Sequence, residues 1–298
     1  MNDDSVLSEL ATLRDWLRHA VSRFNAARLF FGHGSQDSYD EAAYLILHTL
    51  HLPPDRLEPF LDANLTRGER RAVQEIIRRR VEERIPAAYL TNEAWLGEYR
   101  FFVDERVIVP RSYFAELLEE SLAPWIADAA GVTRALDLCT GSGCLAILMA
   151  EAFPNAHIDA ADLSADALEV AERNVAEYGL DSRIELIRSD LFAELDGRSY
   201  DLILSNPPYV TGPAMRALPP EYRHEPRSAL AGGEDGLDLV RRILAEAKHH
   251  LTPAGILAVE VGHNRENVEI AFPEVEFTWL ASRTGTDAVF LLERGQLG

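Results

Sequence analysis

The chain has 298 residues, 47% of them hydrophobic, enough for one large or two modest globular cores. With 29 Lys and Arg against 49 Asp and Glu, its formal net charge is −20, which disfavours tight non-specific binding to a phosphate backbone. It contains no apolar run of about 18 residues and no basic-then-apolar leader, so a cytoplasmic, globular protein without a membrane segment is expected.

Leu7, Leu10, Leu13, Trp16, Leu17, Val21 and Phe24 recur at intervals of three or four, which predicts an amphipathic helix. Ser38 with Glu41, and Thr66 with Glu69, have the spacing of capping boxes that open two more helices. The Arg-rich stretch "RRAVQEIIRRRVEER" (70–84) reads as a solvated helix face laced with ion pairs. Residues 1–92 are therefore expected to form a small all-helical domain. It carries −2 of the net charge and leaves −18 on residues 93–298. "EYRFFVDERVIVP" alternates and is rich in aromatic and β-branched residues, so a β-hairpin linker is expected over residues 93–112, with Asp104-Glu105 as its turn.

From residue 113 to 298 strand and helix patterns alternate, which predicts an α/β domain built on a mainly parallel, doubly wound sheet. The expected strands are Arg134–Leu138, His157–Asp162, Ile184–Arg188, Asp201–Ser205, Gly255–Val261, Phe277–Ala281 and Ala288–Leu292. The last two are separated only by "SRTGTD", too short for a helix, so they should pair antiparallel. The two cysteines, Cys139 and Cys144, lack a Cys-x-x-Cys spacing and read as small core residues; no metal site is expected. His224, Glu225 and Glu221 are read as loop groups that cap backbone, and His249-His250 as the basic end of a helix.

"ALDLCTGSGCLAI" follows the first expected strand of the sheet. Gly141 and Gly143 let the backbone turn tightly and approach a ligand, and the next helix presents its N-terminus. Asp137, at the end of that strand, would sit badly beside a pyrophosphate but well beside a cationic amino acid. Asp162 ends the second strand about 20 residues past the glycines, where a carboxylate accepts the hydroxyls of a ribose. Asp190, after the third strand, is placed to accept from an exocyclic amine such as adenine's, with Leu191 and Phe192 packing on the ring. A ribose, an adenine and an ammonium-bearing tail together describe S-adenosylmethionine.

"DLILSNPPYV" (201–210) runs as a buried strand and then stops on Asn206, Pro207, Pro208 and Tyr209. The Asn206 side-chain oxygen and the Pro207 carbonyl are two acceptors that can hold both protons of a planar NH2 group. Such a grip turns the nitrogen lone pair toward an incoming methyl group. The prolines keep the acceptors in place and Tyr209 covers a flat group by stacking.

"DLCTGSG", "DAADLS" and "SNPPYV" resemble the protein-glutamine methyltransferases of the HemK/PrmC/PrmB group, and "RIPAAYL" (84–90), "VIVPRS" (107–112) and "HEPRSALAGGEDGLD" (224–238) match further stretches of that family. The resemblance covers nearly the whole chain. It implies a class I S-adenosylmethionine-dependent methyltransferase fold, Rossmann-like, with a seven-stranded sheet in the order 3-2-1-4-5-7-6. It also implies a helical N-terminal domain that helps dock a protein substrate, and methylation of a glutamine side-chain amide. By position, the resemblance puts the cofactor at Asp137, Cys139, Thr140, Gly141, Ser142, Gly143, Asp162, Leu163, Asp190, Leu191 and Asn206, and the substrate clamp at Asn206, Pro207, Pro208 and Tyr209. "VPRSYFAELLEE" with "RSDLF" and "EYRHEP" is closest to the PrmB branch, which modifies a large-subunit ribosomal protein. Tyr113-Phe114 departs from the pattern expected after Ser112, and Asn92 stands where many relatives have glycine. The implied partner is a free, basic ribosomal protein, with no stable nucleic-acid binding. The alternatives are the same chemistry on peptide-chain release factors, or an adenine-specific nucleic-acid methyltransferase.

Overall fold

The computed structural model describes residues 3–283 and 285–298. By contacts the chain divides into two compact units, one of Met1–Ala94 with Pro219–His224 and one of Trp95–Leu218 with Glu225–Gly298.

The first unit is built from helices α1 (Asp3–Glu9), α2 (Leu13–Ala27), α3 (Ser38–Thr49), α4 (Arg67–Arg78) and α5 (Ala87–Thr91). Their apolar faces close a core around Trp16, Phe24, Leu45, Ile46 and Val73. Thr66 and Glu69 form the expected capping box of α4, and Thr12 with Asp15 forms another at α2. At α3 the cap is Asp37 rather than Ser38: one oxygen of its carboxylate accepts from the N–H groups of both Tyr39 and Asp40. The Arg-rich segment is only partly a solvated face. Arg78 makes exposed pairs with Glu75, Glu82 and Glu83, whereas Arg80 is fully buried, 2.6 Å from Glu41 and 3.5 Å from Glu221. Glu221 also accepts from Arg84, and His224 meets the Glu83 carbonyl, so these loop groups serve structure.

A two-stranded hairpin follows, β1 (Glu93–Leu96) and β2 (Tyr99–Phe102). Asn92 enters it with φ 54°, a left-handed conformation that suits glycine or asparagine. The hairpin closes at Gly97, φ 60°; Asp104-Glu105 belongs to a separate turn further on, in which the Val107 N–H bonds to the Asp104 carbonyl at 3.1 Å and the Asp104 carboxylate accepts from the backbone and guanidinium of Arg106.

The second unit continues through α6 (Phe114–Glu119), β3 (Arg134–Leu138), α7 (Cys144–Ala152), β4 (His157–Asp162), α8 (Ala165–Glu177), β5 (Ile184–Arg188), β6 (Tyr200–Ser205), α9 (Gly212–Ala217), α10 (Asp238–Glu246), β7 (Leu251–Glu260), α11 (Arg265–Ala271), β8 (Thr278–Leu280) and β9 (Val289–Glu293). The sheet runs β5-β4-β3-β6-β7-β9-β8, which is the expected 3-2-1-4-5-7-6 order, parallel except for antiparallel β9. Thr284, in the connection between β8 and β9, lies outside the described residues. The β-strands of such a sheet are buried on both faces and read as continuous apolar runs, as Leu202, Ile203 and Leu204 do. One core packs α6 and α7 on one face, and a second packs α10 and α11 on the other. The switch in strand order falls between β3 and β6, where ligands of open sheets bind, beyond the carboxyl ends. No helix among the described residues is long and apolar enough to cross a membrane.

Candidate active site

At that edge the second unit holds a cavity of about 180 Å³. Leu138, Cys139, Gly141, Asp162, Leu163, Asp190, Leu191, Asn206 and Pro208 all line it. Residues from the ends of four strands, β3, β4, β5 and β6, thus meet there, apart from a few expected residues that do not line it.

The glycine loop is shaped by its own backbone. Cys139, Gly141 and Gly143 have φ of 68°, 56° and 78°, and the N–H groups of Cys139 and Thr140 both bond to the Ala161 carbonyl. A Cβ at Gly143 would lie 3.1 Å from that of Ala171, so this glycine lets α7 approach α8 closely. Asp162 fastens the loop: one oxygen accepts from the Gly141 N–H at 2.8 Å and the other from the Ser164 N–H at 2.9 Å. Each oxygen keeps a further lone pair for a ligand in the cavity. Burial raises the pKa of this carboxyl, and the backbone N–H groups pull it back down.

Asp137 does not line the cavity. It is fully buried under the loop, and one oxygen accepts from the Thr140 hydroxyl at 2.5 Å and the Ala146 N–H at 3.0 Å. Its other oxygen has no hydrogen-bond partner, and desolvation pushes the group up to about 7. Thr140, Ser142 and Gly143 likewise shape the loop rather than face the cavity. Burial raises both thiols, Cys144 to about 12, so neither suits nucleophilic chemistry at neutral pH.

Leu163 is 62% exposed and forms an apolar wall beside Asp162. Asp190 is at the rim with one oxygen 2.9 Å from Arg242. Phe192 does not pack into the cavity as expected. It stacks on His250, with ring centroids 4.6 Å apart and planes 12° apart, and stays in the core.

Asn206 and Pro208 line the cavity; buried Pro207 and half-buried Tyr209, expected to stack on a flat group, are not among the lining residues. A clasp holds this motif. The Val210 N–H bonds to the Leu230 carbonyl at 2.8 Å, the Gly232 N–H to the Val210 carbonyl at 2.9 Å, and the Asn264 amide to the Tyr209 carbonyl at 2.6 Å. A Cβ at Gly232 would fall 2.7 Å from the Pro208 oxygen, and one at Gly262 would fall 2.6 Å from the Tyr209 ring. The clasp explains the glycines of "ALAGGEDG". The same segment closes the cavity with Pro226, Ser228 and Ala229.

Arg106, Val107 and Ile108 form another wall. The strand of chain beyond them is tied down by Glu225, which accepts from the Val109 N–H at 2.9 Å and is paired with both terminal nitrogens of Arg111 at 2.5 and 2.7 Å. The sequence reading did not assign these wall residues, although "VIVPRS" and "HEPRSALAGGEDGLD" already marked the two stretches that supply them. Among the described residues no group of three or more His, Cys, Asp or Glu is arranged to hold a metal ion.

This glycine loop, strand-end carboxylates and Asn-Pro-Pro-Tyr turn on a 3-2-1-4-5-7-6 sheet define a methyltransferase of the class I S-adenosylmethionine-dependent fold, and residues 117–218 match the family model described as "Methyltransferase small domain". Over its length the chain is similar to proteins named ribosomal protein uL3 glutamine methyltransferase. The one from Bordetella pertussis is 60% identical over 97% of each chain; that from Neisseria gonorrhoeae is 59% identical over 97% of this chain and 96% of its own; that from Bradyrhizobium diazoefficiens is 52% identical over 97% and 92%. A solved methyltransferase from Pyrococcus furiosus is 20% identical with a TM-score of 0.41, covering 55% of this chain and 76% of its own. The chain belongs to the family of ribosomal protein uL3 glutamine methyltransferases.

Proposed function

We propose that this enzyme transfers a methyl group from S-adenosylmethionine to the side-chain amide nitrogen of a glutamine in ribosomal protein uL3, with the cavity as cofactor site, Asn206 to Tyr209 as the amide-holding group, and the helical unit as the part that docks the protein substrate. The observation that carries it is that Asn206 and Pro208 line the same cavity as Gly141, Asp162 and Asp190. Donor and acceptor groups of one transfer then share one space.

The residues present suit that cofactor. Asp162 keeps free lone pairs for a ribose diol, Leu163 and Leu191 offer apolar faces to a base, and Asp190 is an acceptor at the rim. Asp137, buried beneath the loop, carries a negative charge suited to an ammonium group only in its ionised form, which burial shifts up to about 7. When bound, S-adenosylmethionine supplies an electrophilic methyl group. The protein's part is to orient the nucleophile. The Asn206 side-chain oxygen and the Pro207 carbonyl accept the two amide protons, which holds the nitrogen lone pair toward the methyl and favours pyramidalisation. Once alkylated, the nitrogen is strongly acidic and releases its proton to water, so no strong base is required.

The test is to incubate the protein with radiolabelled S-adenosylmethionine and an extract lacking the endogenous activity. Label is expected in uL3; label in a release factor or in nucleic acid instead would overturn the substrate assignment.

A further inference from the structure

Glu260 ends β7 beside the acceptor motif. Ser205 of β6 is in register with Val259 of β7, so Asn206 and Glu260 are the next residues along two adjacent strands. Glu260 is 1% exposed, and its carboxylate takes three donors. The Ser112 hydroxyl, at 2.6 Å, and the Tyr113 N–H, at 3.0 Å, share one oxygen; the Tyr209 hydroxyl is 3.4 Å from the other. Among the described residues no Lys or Arg is bonded to it, and the nearby Arg111 guanidinium is paired with Glu225. Burial pushes Glu260 up to about 7. A buried carboxyl without a bonded cation is costly, and the packing of β7 does not call for one, since Val259 and Val261 on either side are fully buried. What the carboxyl adds is a junction between the chain that continues from the Arg106–Ile108 wall and the last residue of the motif.

We propose that Glu260 is a positioning residue for methyl transfer: holding the Tyr209 hydroxyl on one oxygen and the Ser112–Tyr113 turn on the other, it fixes the Asn206–Tyr209 turn against the wall of the cavity. This rests on the reading of Asn206 to Tyr209 as the amide-holding group. The other anchors of Tyr209 act elsewhere, Asn264 on its carbonyl and Gly262 against its ring, so the hydroxyl end is held through Glu260. Without that bond the ring is free to shift, and the turn with it. A displacement of the order of 1 Å at a reacting group costs up to about a hundredfold in rate.

The test compares kcat, substrate KM and cofactor Kd for the wild type, Tyr209→Phe, Glu260→Gln, Glu260→Ala and the double variant Tyr209→Phe/Glu260→Ala. Tyr209→Phe keeps the ring and removes only the hydroxyl. It is expected to lower kcat about tenfold with cofactor Kd within about twofold. Glu260→Ala should lower kcat about thirtyfold or more, and Glu260→Gln, which still offers an oxygen to Ser112 and Tyr113 and an amide to the Tyr209 hydroxyl, should stay within about fivefold of wild type. Because both residues act through one bond, the double variant should be no slower than Glu260→Ala. Wild-type kcat in Tyr209→Phe, or losses that multiply in the double variant, would overturn the proposal. Tyr209→Phe answers the question even where Glu260→Ala does not fold. An active Asn206→Ala enzyme, by contrast, would sink the reading of the motif itself, a different outcome on a different variant.

Discussion

The two halves of the sheet edge treat their polar groups in opposite ways. On the β3, β4 and β5 side, Asp162 spends one lone pair of each oxygen on the loop and keeps the rest toward the cavity, and Asp137 leaves an oxygen with no partner. On the β6 and β7 side almost nothing is left open: the backbone of Val210, the carbonyl and hydroxyl of Tyr209 and both oxygens of Glu260 are engaged, and glycines bring neighbouring backbone into contact. The first arrangement suits a ligand that brings its own donors. The second suits a pair of carbonyl oxygens that must not move. Binding the donor and orienting the acceptor are therefore separable tasks, and variants should separate them.

The largest effect is expected at the rigid half. Asn206→Ala removes an acceptor used by the reacting amide and should lower kcat by about a thousandfold, with cofactor Kd within a few fold. Stopped-time assays beside calorimetry check this, and turnover above about a tenth of wild type would show that the clamp is misassigned. At the open half the pattern should reverse. Asp162→Ala should weaken cofactor binding by roughly 2–3 kcal/mol through lost charge-assisted hydrogen bonds, with much of kcat recovered at saturation; unchanged affinity in a titration would remove its ribose role.

The halves do share one electrostatic property, and pH exposes it. Asp137 and Glu260 both sit at about 7 when folded, well above the usual carboxylate range, because burial penalises their charged forms. A raised folded pKa means that the native state holds a proton that the unfolded chain has released. Each group's contribution is therefore complete below the ordinary carboxylate range and is lost as pH rises through about 7, on the order of 3 kcal/mol apiece. The groups facing Glu260 are Ser112, Tyr113, Tyr209 and, at longer range, Arg111. The unfolding temperature of the cofactor-free protein should fall as pH rises from about 4.5 to about 7 and level off above that, and Asp137→Asn or Glu260→Gln should each flatten that slope. A wild-type midpoint that does not change across that window would contradict the argument.

The smallest effect concerns the partner. With −18 on residues 93–298, the proposed preference for a free, basic ribosomal protein over an assembled, polyanionic ribosome follows from charge alone. Added salt should slow association with the isolated protein a few fold, and intact large subunits should be modified more slowly than free uL3. Equal rates for the two would remove the charge argument and leave the chemistry standing.

Much of the open half was legible in the sequence. The rule that ligands sit beyond strand C-termini picked out Asp137, Asp162 and Asp190, and two of the three line the cavity. Asp137 turns inward because the Thr140 hydroxyl and the Ala146 N–H lie under the loop, a fact of local geometry that spacing does not encode. The same rule applied to "LAVEVG" would have found Glu260; the acid was overlooked because it lies within an otherwise apolar run. The clasp and the wall depend on partners far apart in the chain, Val109 with Glu225, Tyr209 with Asn264 and Val210 with Leu230, and periodicity carries no information at those separations. The burial of Arg80 by Glu41 likewise joins residues of different helices, 39 positions apart. Two turn signals lie close together here: Gly97, with φ 60°, closes the hairpin, and Asp104 opens a second turn beyond β2.

The most direct measurement is mass spectrometry of isolated uL3 after incubation with S-adenosylmethionine and either the wild-type enzyme or Asn206→Ala, with fragment ions that locate the added methyl. The account predicts one methyl group on the side-chain amide nitrogen of a single glutamine with the wild type, and unmodified uL3 with an Asn206→Ala enzyme that still binds cofactor. A methyl group on any other kind of atom, or undiminished transfer by Asn206→Ala, would contradict it.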